Sequence, residues 1–505
     1  MAAMQTRYLL AALVALTYLV FCVLTAVRHR SARQRQQAQW GTAQGDAVLV
    51  AFASQTGTAE RLALQTASSL RQAGMAVRVL PLDQIDDVSL RAARLALFVV
   101  STTGEGDAPD MAAQLAQQIS SAHADNASAA LPDLRFGVLA LGDRNYQQYC
   151  AFGHAVQAWL CRRHAQPLFD LIDVDNGDEG ALRHWQHQLG VISGHSDAAD
   201  WSAPAYGRWR LAQRERLNPG SQGAAVFHLR LTPLDLPAPG WQAGDIAEIG
   251  PRNSDDEVQR FLRALPLQQD IPYAELAARQ LPHDAAVLAS LRSLSGAALI
   301  AALKPLPHRA YSIASLPADG ALELMVRLMH QPDGHLGLGS GWLGVHAQPG
   351  QEIALRVRVN AAFHAPAAGQ PLILIGNGTG LAGLRAHLRE RVAAGERRNW
   401  LVFGERSRQH DFFLRDEMQS WQADGWLQRL DLAFSRDQPQ RYYVQDSLRE
   451  NAETLRQWVS EGASIYVCGS LLGMAAGVAQ ALQDILGQAE LQRLAGQGRY
   501  RRDVY

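Results

Sequence analysis

Ala47-Val48-Leu49-Val50-Ala51-Phe52-Ala53-Ser54-Gln55-Thr56-Gly57-Thr58-Ala59-Glu60 decides how this chain folds. Seven apolar residues end in a small loop of hydroxyls and glycine, and helical spacing follows from Thr58 to Ala73. A buried strand feeding a helix through such a loop opens a parallel α/β sheet, and the helix start offers backbone amides to a phosphate. Ser54 to Ala59 taken alone reads equally well as a simple helix cap. Two further loops favour the phosphate. Ser101-Thr102-Thr103-Gly104-Glu105-Gly106-Asp107 and Leu141-Gly142-Asp143-Arg144-Asn145-Tyr146 each follow the carboxyl end of a later strand-like run. In an open α/β sheet that edge is where ligands bind.

The same strand-helix rhythm runs through Val77 to Leu80, Leu95 to Ser101, Arg135 to Leu141 and Phe152 to Arg163, and predicts a doubly wound domain over residues 47–193. Residues 194–224 read as a polar link containing Gly and Pro. Over 225–365 the pattern becomes short alternating strands, such as Val226 to Leu231 and Leu322 to Met329, with a helical section at about 255–303. This predicts a small antiparallel barrel carrying a helical insertion. From 366 to 505 strands and helices alternate again, predicting a second nucleotide-binding α/β domain.

That second half has its own phosphate loop, Gly376-Asn377-Gly378-Thr379-Gly380, directly after the strand Leu372 to Ile375. Arg309-Ala310-Tyr311-Ser312 and Gly337-Leu338-Gly339-Ser340 precede it in the barrel region; arginine neutralises a diphosphate, and glycines let backbone approach one. Ser435-Arg436, Arg441, Tyr443 and Gln445 follow the strand Arg429 to Phe434 and gather two guanidinium groups and two hydroxyls, a cradle for an additional phosphate. The last residues, Arg502-Asp503-Val504-Tyr505, end on an aromatic ring, which fraying would waste unless the ring is docked.

With 505 residues the chain exceeds one core and implies two or three domains. A net charge of −1 gives no reason to expect nucleic acid. Cys22, Cys150, Cys161 and Cys468 form no CxxC pair and no cluster with histidine, which argues against a structural metal and against a disulfide framework. Tyr8 to Val27 is a run of 20 residues without a charge, long enough to cross a hydrocarbon core of roughly 30 Å. A cleaved signal peptide is the rival reading, but its apolar part is shorter and is followed by small residues, whereas this run meets Arg28 and Arg30. Residues 1–30 are therefore expected to form a transmembrane anchor, and 31–46 a tether. Arg28, Arg30, Arg33 and Arg35 outnumber the lone Arg7 on the other side, so the rest of the chain is expected in the cytoplasm, on a single-pass inner-membrane protein.

From residue 47 to 505 these motifs, in this order, resemble the diflavin reductases, and most of all the bacterial sulfite reductase flavoprotein subunit, whose final residues look much like Arg499 to Tyr505. The resemblance implies a flavodoxin-like FMN domain, a ferredoxin-reductase-like FAD barrel and an NADPH domain. It assigns Ser54, Gln55, Thr56, Gly57, Thr58 and Ala59 to the FMN phosphate. Ser101, Thr102, Thr103 and Gly104, with Leu141, Gly142, Asp143, Asn145, Tyr146 and Cys150, are implied around the isoalloxazine, Tyr146 stacking on it and Asp175 at its edge. For FAD it implies Arg309, Ala310, Tyr311, Ser312, Gly337, Leu338, Gly339, Ser340 and Tyr505. For NADPH it implies Gly376, Gly378, Thr379 and Gly380, and it gives the 2′-phosphate to Ser435, Arg436, Arg441, Tyr443 and Gln445. Ser312, Cys468, Asp503 and Tyr505 are implied as the groups around hydride transfer.

The pattern departs from the family at several points. Thr103 stands where many relatives have an aromatic, Asn377 and Gly383 where the family has proline, and Ser470 and Gly477 where it is acidic; the helical insertion is shorter. The resulting expectation is a membrane-anchored oxidoreductase moving electrons from NADPH through FAD and FMN to a one-electron acceptor at the membrane. A haem protein, a sulfite reductase haem subunit and a ferric siderophore system all remain open as that acceptor. A non-catalytic flavin-binding redox sensor and an FAD-only NADPH reductase with a vestigial FMN domain stay as alternatives. A two-electron flavoenzyme on a small organic substrate would need acid/base residues of which no constellation is seen.

Overall fold

The structure, a computed structural model, describes residues 47–505 except 55–56, 104–105, 122–129, 145, 147, 196–200, 202–204, 236, 238, 266–270, 295, 332–333 and 361–362. The expected anchor at 1–30 and tether at 31–46 lie outside the described residues, as do Gln55, Thr56, Gly104 and Asn145. Among the described residues no helix is long and apolar enough to cross a membrane. Two compact units emerge: the described residues up to Pro167 with Asp173–Asn176, and Leu168–Ile172 with Gly177–Tyr505.

In the first unit β1 (Val48–Ala53), β2 (Val77–Pro81), β3 (Leu95–Ser101), β4 (Arg135–Gly142) and β5 (Gln166–Pro167) form a sheet in the order β2-β1-β3-β4-β5, with β6 (Ile172–Asp175) paired to β4. The pairings of β1 with β2 and β3, and of β3 with β4, are parallel. Every residue of β1 is buried, as a strand covered on both faces by helices requires. Helix α1 (Thr58–Gln72) packs Leu62, Ala63, Thr66, Ala67 and Leu70 inward, one residue per turn and its neighbour, while Arg61 and Arg71 stay outside. This strand order reverses direction between β1 and β3, which puts the ligand crevice at their carboxyl ends.

The second unit contains an antiparallel sheet and a parallel one. β7 (Gly207–Arg216), β8 (Val226–Pro233), β9 (Ile246–Gly250), β10 (Arg309–Ser312), β11 (Leu322–Arg327) and β12 (Glu352–Arg358) are ordered β10-β9-β12-β7-β8-β11, and an antiparallel bridge between Ile313 and Leu324 joins the two ends into a barrel. Its interior is filled by Trp209, Leu229, Ile249, Leu324, Leu343 and Ile353. β7 falls inside the stretch that reads as a link from sequence. Trp209 and Leu211 point in, but the pairing skips a residue between Leu211 and Gln213, and that bulge breaks the period-two pattern among five arginine and glutamate side chains. Helices at Asp255–Ala264, Tyr273–Ala277, Ala285–Leu291 and Gly296–Ala302 form the insertion, around their own small core of Val258, Phe261, Leu276 and Leu299. The first of these starts with a reciprocal capping box between Ser254 and Glu257.

β13 (Leu372–Asn377), β14 (Asn399–Glu405), β15 (Arg429–Phe434), β16 (Ser464–Gly469) and β17 (Tyr500–Val504) make an all-parallel sheet in the order β15-β14-β13-β16-β17. Helix α2 (Glu179–Ser193), inside the stretch 47–193 expected as the first domain, groups by its contacts with the second unit. Arg183 on it reaches Glu248 of β9 at 3.3 Å, and Gln188 donates to the Val504 carbonyl at 3.4 Å. Helix α3 (Leu381–Ala393) follows β13 and is buried along most of its length.

Candidate functional site

In the first unit the described parts of three loops leave the carboxyl ends of neighbouring strands. Register pairs Ala53 with Val100 and Ser101 with Leu141, so Ser54, Thr102 and Gly142 emerge at one sheet edge. Gly57 adopts φ +84, a conformation natural only to glycine, and turns the chain into α1. The Ser54 hydroxyl accepts the Ala59 amide at 3.2 Å, so capping and phosphate binding draw on the same loop, and that one amide already has a partner. Thr103 and Asp107 close a tight turn, with the Thr103 amide 2.9 Å from the Asp107 carbonyl. Asp175 accepts the Arg144 amide at 3.0 Å and thereby fixes the loop that presents Tyr146.

Tyr146 is 45% exposed, an unusual placing for an aromatic beside a polar edge and one that fits a planar ring stacking on it. Cys150 lies at the end of the same loop. It has no exposed surface, its thiol donates to the Ala140 carbonyl at 3.3 Å, and burial pushes it up to about 12. That bond holds the loop against β4.

The second unit contains a cavity of about 880 Å³, within the usual range for a cofactor or substrate pocket. Its wall includes Tyr311 and Ser312 from β10, Gly378 and Thr379 from the glycine loop, Ser435 after β15, and Tyr505. Ala310, Tyr443 and Gln445 also line it, whereas Arg436 and Arg441 are exposed on the flanking segment and form no part of the wall. Gly339 sits against Arg309 and Tyr311 so closely that a Cβ there would lie 2.6 Å from both side chains, which brings the two barrel motifs together. The Ser340 hydroxyl is taken by the Met329 amide at 3.0 Å, so it shapes the Gly337–Gly341 turn.

β17 docks the end of the chain. Its register sets Asp503 beside Cys468 and Val504 beside Gly469. The Tyr505 amide then donates to the Gly469 carbonyl at 3.0 Å, and its phenol donates to Thr379 at 3.3 Å. Tyr505 is 36% exposed as a residue and lines the cavity. Behind it the Ser312 hydroxyl donates to Asp503 Oδ2 at 2.8 Å, and Cys468 Sγ lies 3.7 Å from the same oxygen. Burial pushes the Asp503 carboxyl up, while Ser312 and the Arg358 guanidinium pull it back. Burial also pushes the Cys468 thiol well up, so it remains protonated.

Glycine is required in the loop between β13 and α3. A Cβ at Gly376 would lie 2.6 Å from the Cys468 carbonyl oxygen, and one at Gly380 only 2.2 Å from it. Asn377, in the position where proline is the family habit, accepts the Ser470 amide at 3.1 Å and so ties this loop to the end of β16. Among the cavity residues that no motif marked are Arg327 at the end of β11 and Glu405 at the end of β14, which form an ion pair. Each looks like an ordinary strand-terminal charge in sequence.

An aromatic-bearing sheet edge in one unit and a barrel joined to a glycine-loop sheet in the other define a two-flavin, nicotinamide-linked reductase. Comparison with known proteins agrees: a flavodoxin model matches residues 50–185, and an oxidoreductase NAD-binding domain model matches 374–480. Three relatives carry the description sulfite reductase [NADPH] flavoprotein alpha-component. That of Vibrio cholerae serotype O1 is 30% identical over 95% of this chain and 90% of its own. That of Shewanella sp. (strain MR-4) is 30% identical over 95% and 94%, and that of Neisseria meningitidis serogroup C 30% identical over 92% and 90%. The chain belongs to this family of NADPH-dependent diflavin reductases and is an oxidoreductase, with FMN, FAD and NADPH as its cofactors.

Proposed function

We propose that the protein is a membrane-anchored NADPH-dependent diflavin reductase, its catalytic units in the cytoplasm, that carries electrons from NADPH through FAD and FMN to a one-electron acceptor. The observation that carries the redox reading is the convergence of Ser312, Asp503, Cys468 and Tyr505 beside the glycine loop. Bound flavins supply hydride acceptance and its division into single electrons. The chain supplies placement. Ser312 and Cys468, fixed through the Asp503 carboxylate, orient the nicotinamide ring; Tyr505 excludes water from the face it covers and must swing aside. The thiol of Cys468, held protonated, acts by packing and weak donation.

The anchor reading rests on Tyr8 to Val27 and on the arginines that follow it. Tethering raises the effective concentration of a membrane-bound or membrane-proximal acceptor, which favours a haem protein or ferric complex there; a sulfite reductase haem subunit is the other candidate. Full-length protein extracted from membranes should contain one FMN and one FAD and reduce cytochrome c with NADPH, and removal of residues 1–30 should release it without loss of that activity. FAD without FMN would support a simpler reductase, and a full-length chain found free of membranes would end the anchoring proposal.

Ser435, Arg436, Arg441, Tyr443 and Gln445 are proposed to read the NADPH 2′-phosphate. Replacing Arg436 and Arg441 together with alanine should raise the KM for NADPH by about 10–100-fold, the loss expected for charge-assisted contacts, with little change for NADH. Equal effects on both coenzymes would remove the assignment.

A further inference from the structure

Arg327 and Glu405 meet across the second unit, one from the barrel and one from the parallel sheet, and both line the cavity. Glu405 is almost wholly buried, and burial pushes its carboxyl up against the pull of Arg327. The pair stands on the glycine loop. A Cβ on Gly378 would lie 3.0 Å from Arg327 Nη2 and 3.4 Å from Glu405 Oε1, and Gly378, at φ +58, is the residue that turns β13 toward α3. Arg327 and Tyr505 line the same cavity. The guanidinium therefore shares the cavity wall with a helix start, where backbone amides favour anions, and with the terminal ring.

A partly buried ion pair adds little stability over apolar residues of the same size, so its presence in a cavity wall asks for another reason. Flanking wall positions on the same strand and the segment after it are Met325 and Met329, which shows that the barrel tolerates apolar side chains there. A carboxylate and a phosphate offer a guanidinium the same pair of oxygens. We propose that Arg327 receives the diphosphate of the nicotinamide dinucleotide, and that Glu405 is an internal stand-in for that diphosphate, holding the guanidinium until the dinucleotide displaces it. This rests on the reading of the glycine-loop side of the cavity, with the segment from Ser435 to Gln445, as the place of NADPH, and adds to it a residue common to both coenzymes: NADPH and NADH carry the same diphosphate. Arg327 thus governs retention of any nicotinamide dinucleotide, while Arg436 and Arg441 govern the choice between them. Glu405 lowers apparent affinity by occupying the receptor, which eases release of the oxidised product.

The test is equilibrium titration of full-length, flavin-loaded protein with NADP⁺ and with NAD⁺, neither of which is turned over. Arg327→Met should weaken both by about 10–100-fold, and Arg327→Lys by less, since a charge remains. Glu405→Gln should tighten both, by about 3–10-fold, and should confer no gain in the Arg327→Met background. Flavin content and absorbance of each variant report folding independently of dinucleotide binding. The proposal is overturned if Arg327→Met binds NADP⁺ within about twofold of the unaltered protein, or if Glu405→Gln weakens binding as Arg327→Met does, which would make the pair a structural brace. Should the unaltered protein bind neither dinucleotide, the cavity reading itself falls; should only the Arg327 variants behave as unaltered, that reading stands and this inference alone fails.

Discussion

Asp503→Asn is expected to slow reduction of the bound flavin by NADPH about a hundredfold while leaving flavin content and NADP⁺ affinity near those of the unaltered protein. The carboxylate is buried and accepts from Ser312 at 2.8 Å, with Cys468 Sγ 3.7 Å away on the same oxygen. An amide has the same shape but offers either a weaker acceptor or a donor, and Ser312 must then turn to find another partner. A displacement of about 1 Å in a group that aligns a reacting ring costs on the order of a hundredfold in rate. Stopped-flow reduction at saturating NADPH isolates this step from binding. Ser312→Ala should reproduce the loss, and the double variant should be little worse than either single one, because the two residues act as a unit. A rate for Asp503→Asn within about threefold of the unaltered protein would show that the pair has no part in orienting the nicotinamide.

Much of this arrangement could be read from sequence because the residues that make it are local. Gly376 to Gly380 is five residues of chain where β13 runs into α3, and backbone crowding by Cys468 leaves no alternative to glycine at two of its positions. The run Ala47 to Glu60 is legible for the same reason: apolar residues at every position require burial on both faces, and a loop of small residues requires a turn. The terminal aromatic was informative through its position alone, and β17 explains it by pairing that segment to β16.

Long-range features were not legible. β7 alternates only as far as its bulge, and its charged residues pair with Asp235 and with backbone that lies far along the chain. Cys150 fell within a cofactor-loop motif, yet its burial against Ala140 follows from Gly142, beside which only a close-packed neighbour fits; a Cβ on that glycine would lie 2.8 Å from the sulfur. Arg327 and Glu405 are separated by 78 positions, so no motif search links them; a charge at the end of a strand whose other residues are buried is the one signal that could have drawn attention to each.

Arg385→Met should cost about 3–5 kcal/mol in the unfolding transition of the second unit, the loss expected when one partner of a buried ionic network is removed. Arg385 lies on α3, 6% exposed, and its guanidinium donates to Glu323 of β11 and to Glu417, each at 2.6 Å, and to the Ala314 carbonyl at 2.8 Å. It ties the glycine-loop helix to the barrel beside the apolar contacts of Leu384 and Leu388. Its neighbour Arg389 extends the contact to Asp319 and Glu417, and His228 shares Glu323. Burial opposes ionisation of Glu323, but His228 and Arg385 outweigh it and hold the carboxyl down at about 2, against an ordinary 4.5. A carboxyl lowered on folding stabilises the native state above its unfolded value and loses that contribution as pH falls through its folded one, so the window here runs from 4.5 down to 2. In Arg385→Met the carboxyl loses a cation and its pKa rises, so acid weakening at that site shrinks while stability at neutral pH falls. Glu323→Gln with Arg385→Met should recover part of the loss, since no uncompensated charge is then left buried. Urea unfolding at pH 7, followed by the fluorescence of the barrel and sheet tryptophans, measures both; a loss for Arg385→Met under about 1 kcal/mol would show the network to be solvated and without consequence for holding the barrel to the parallel sheet.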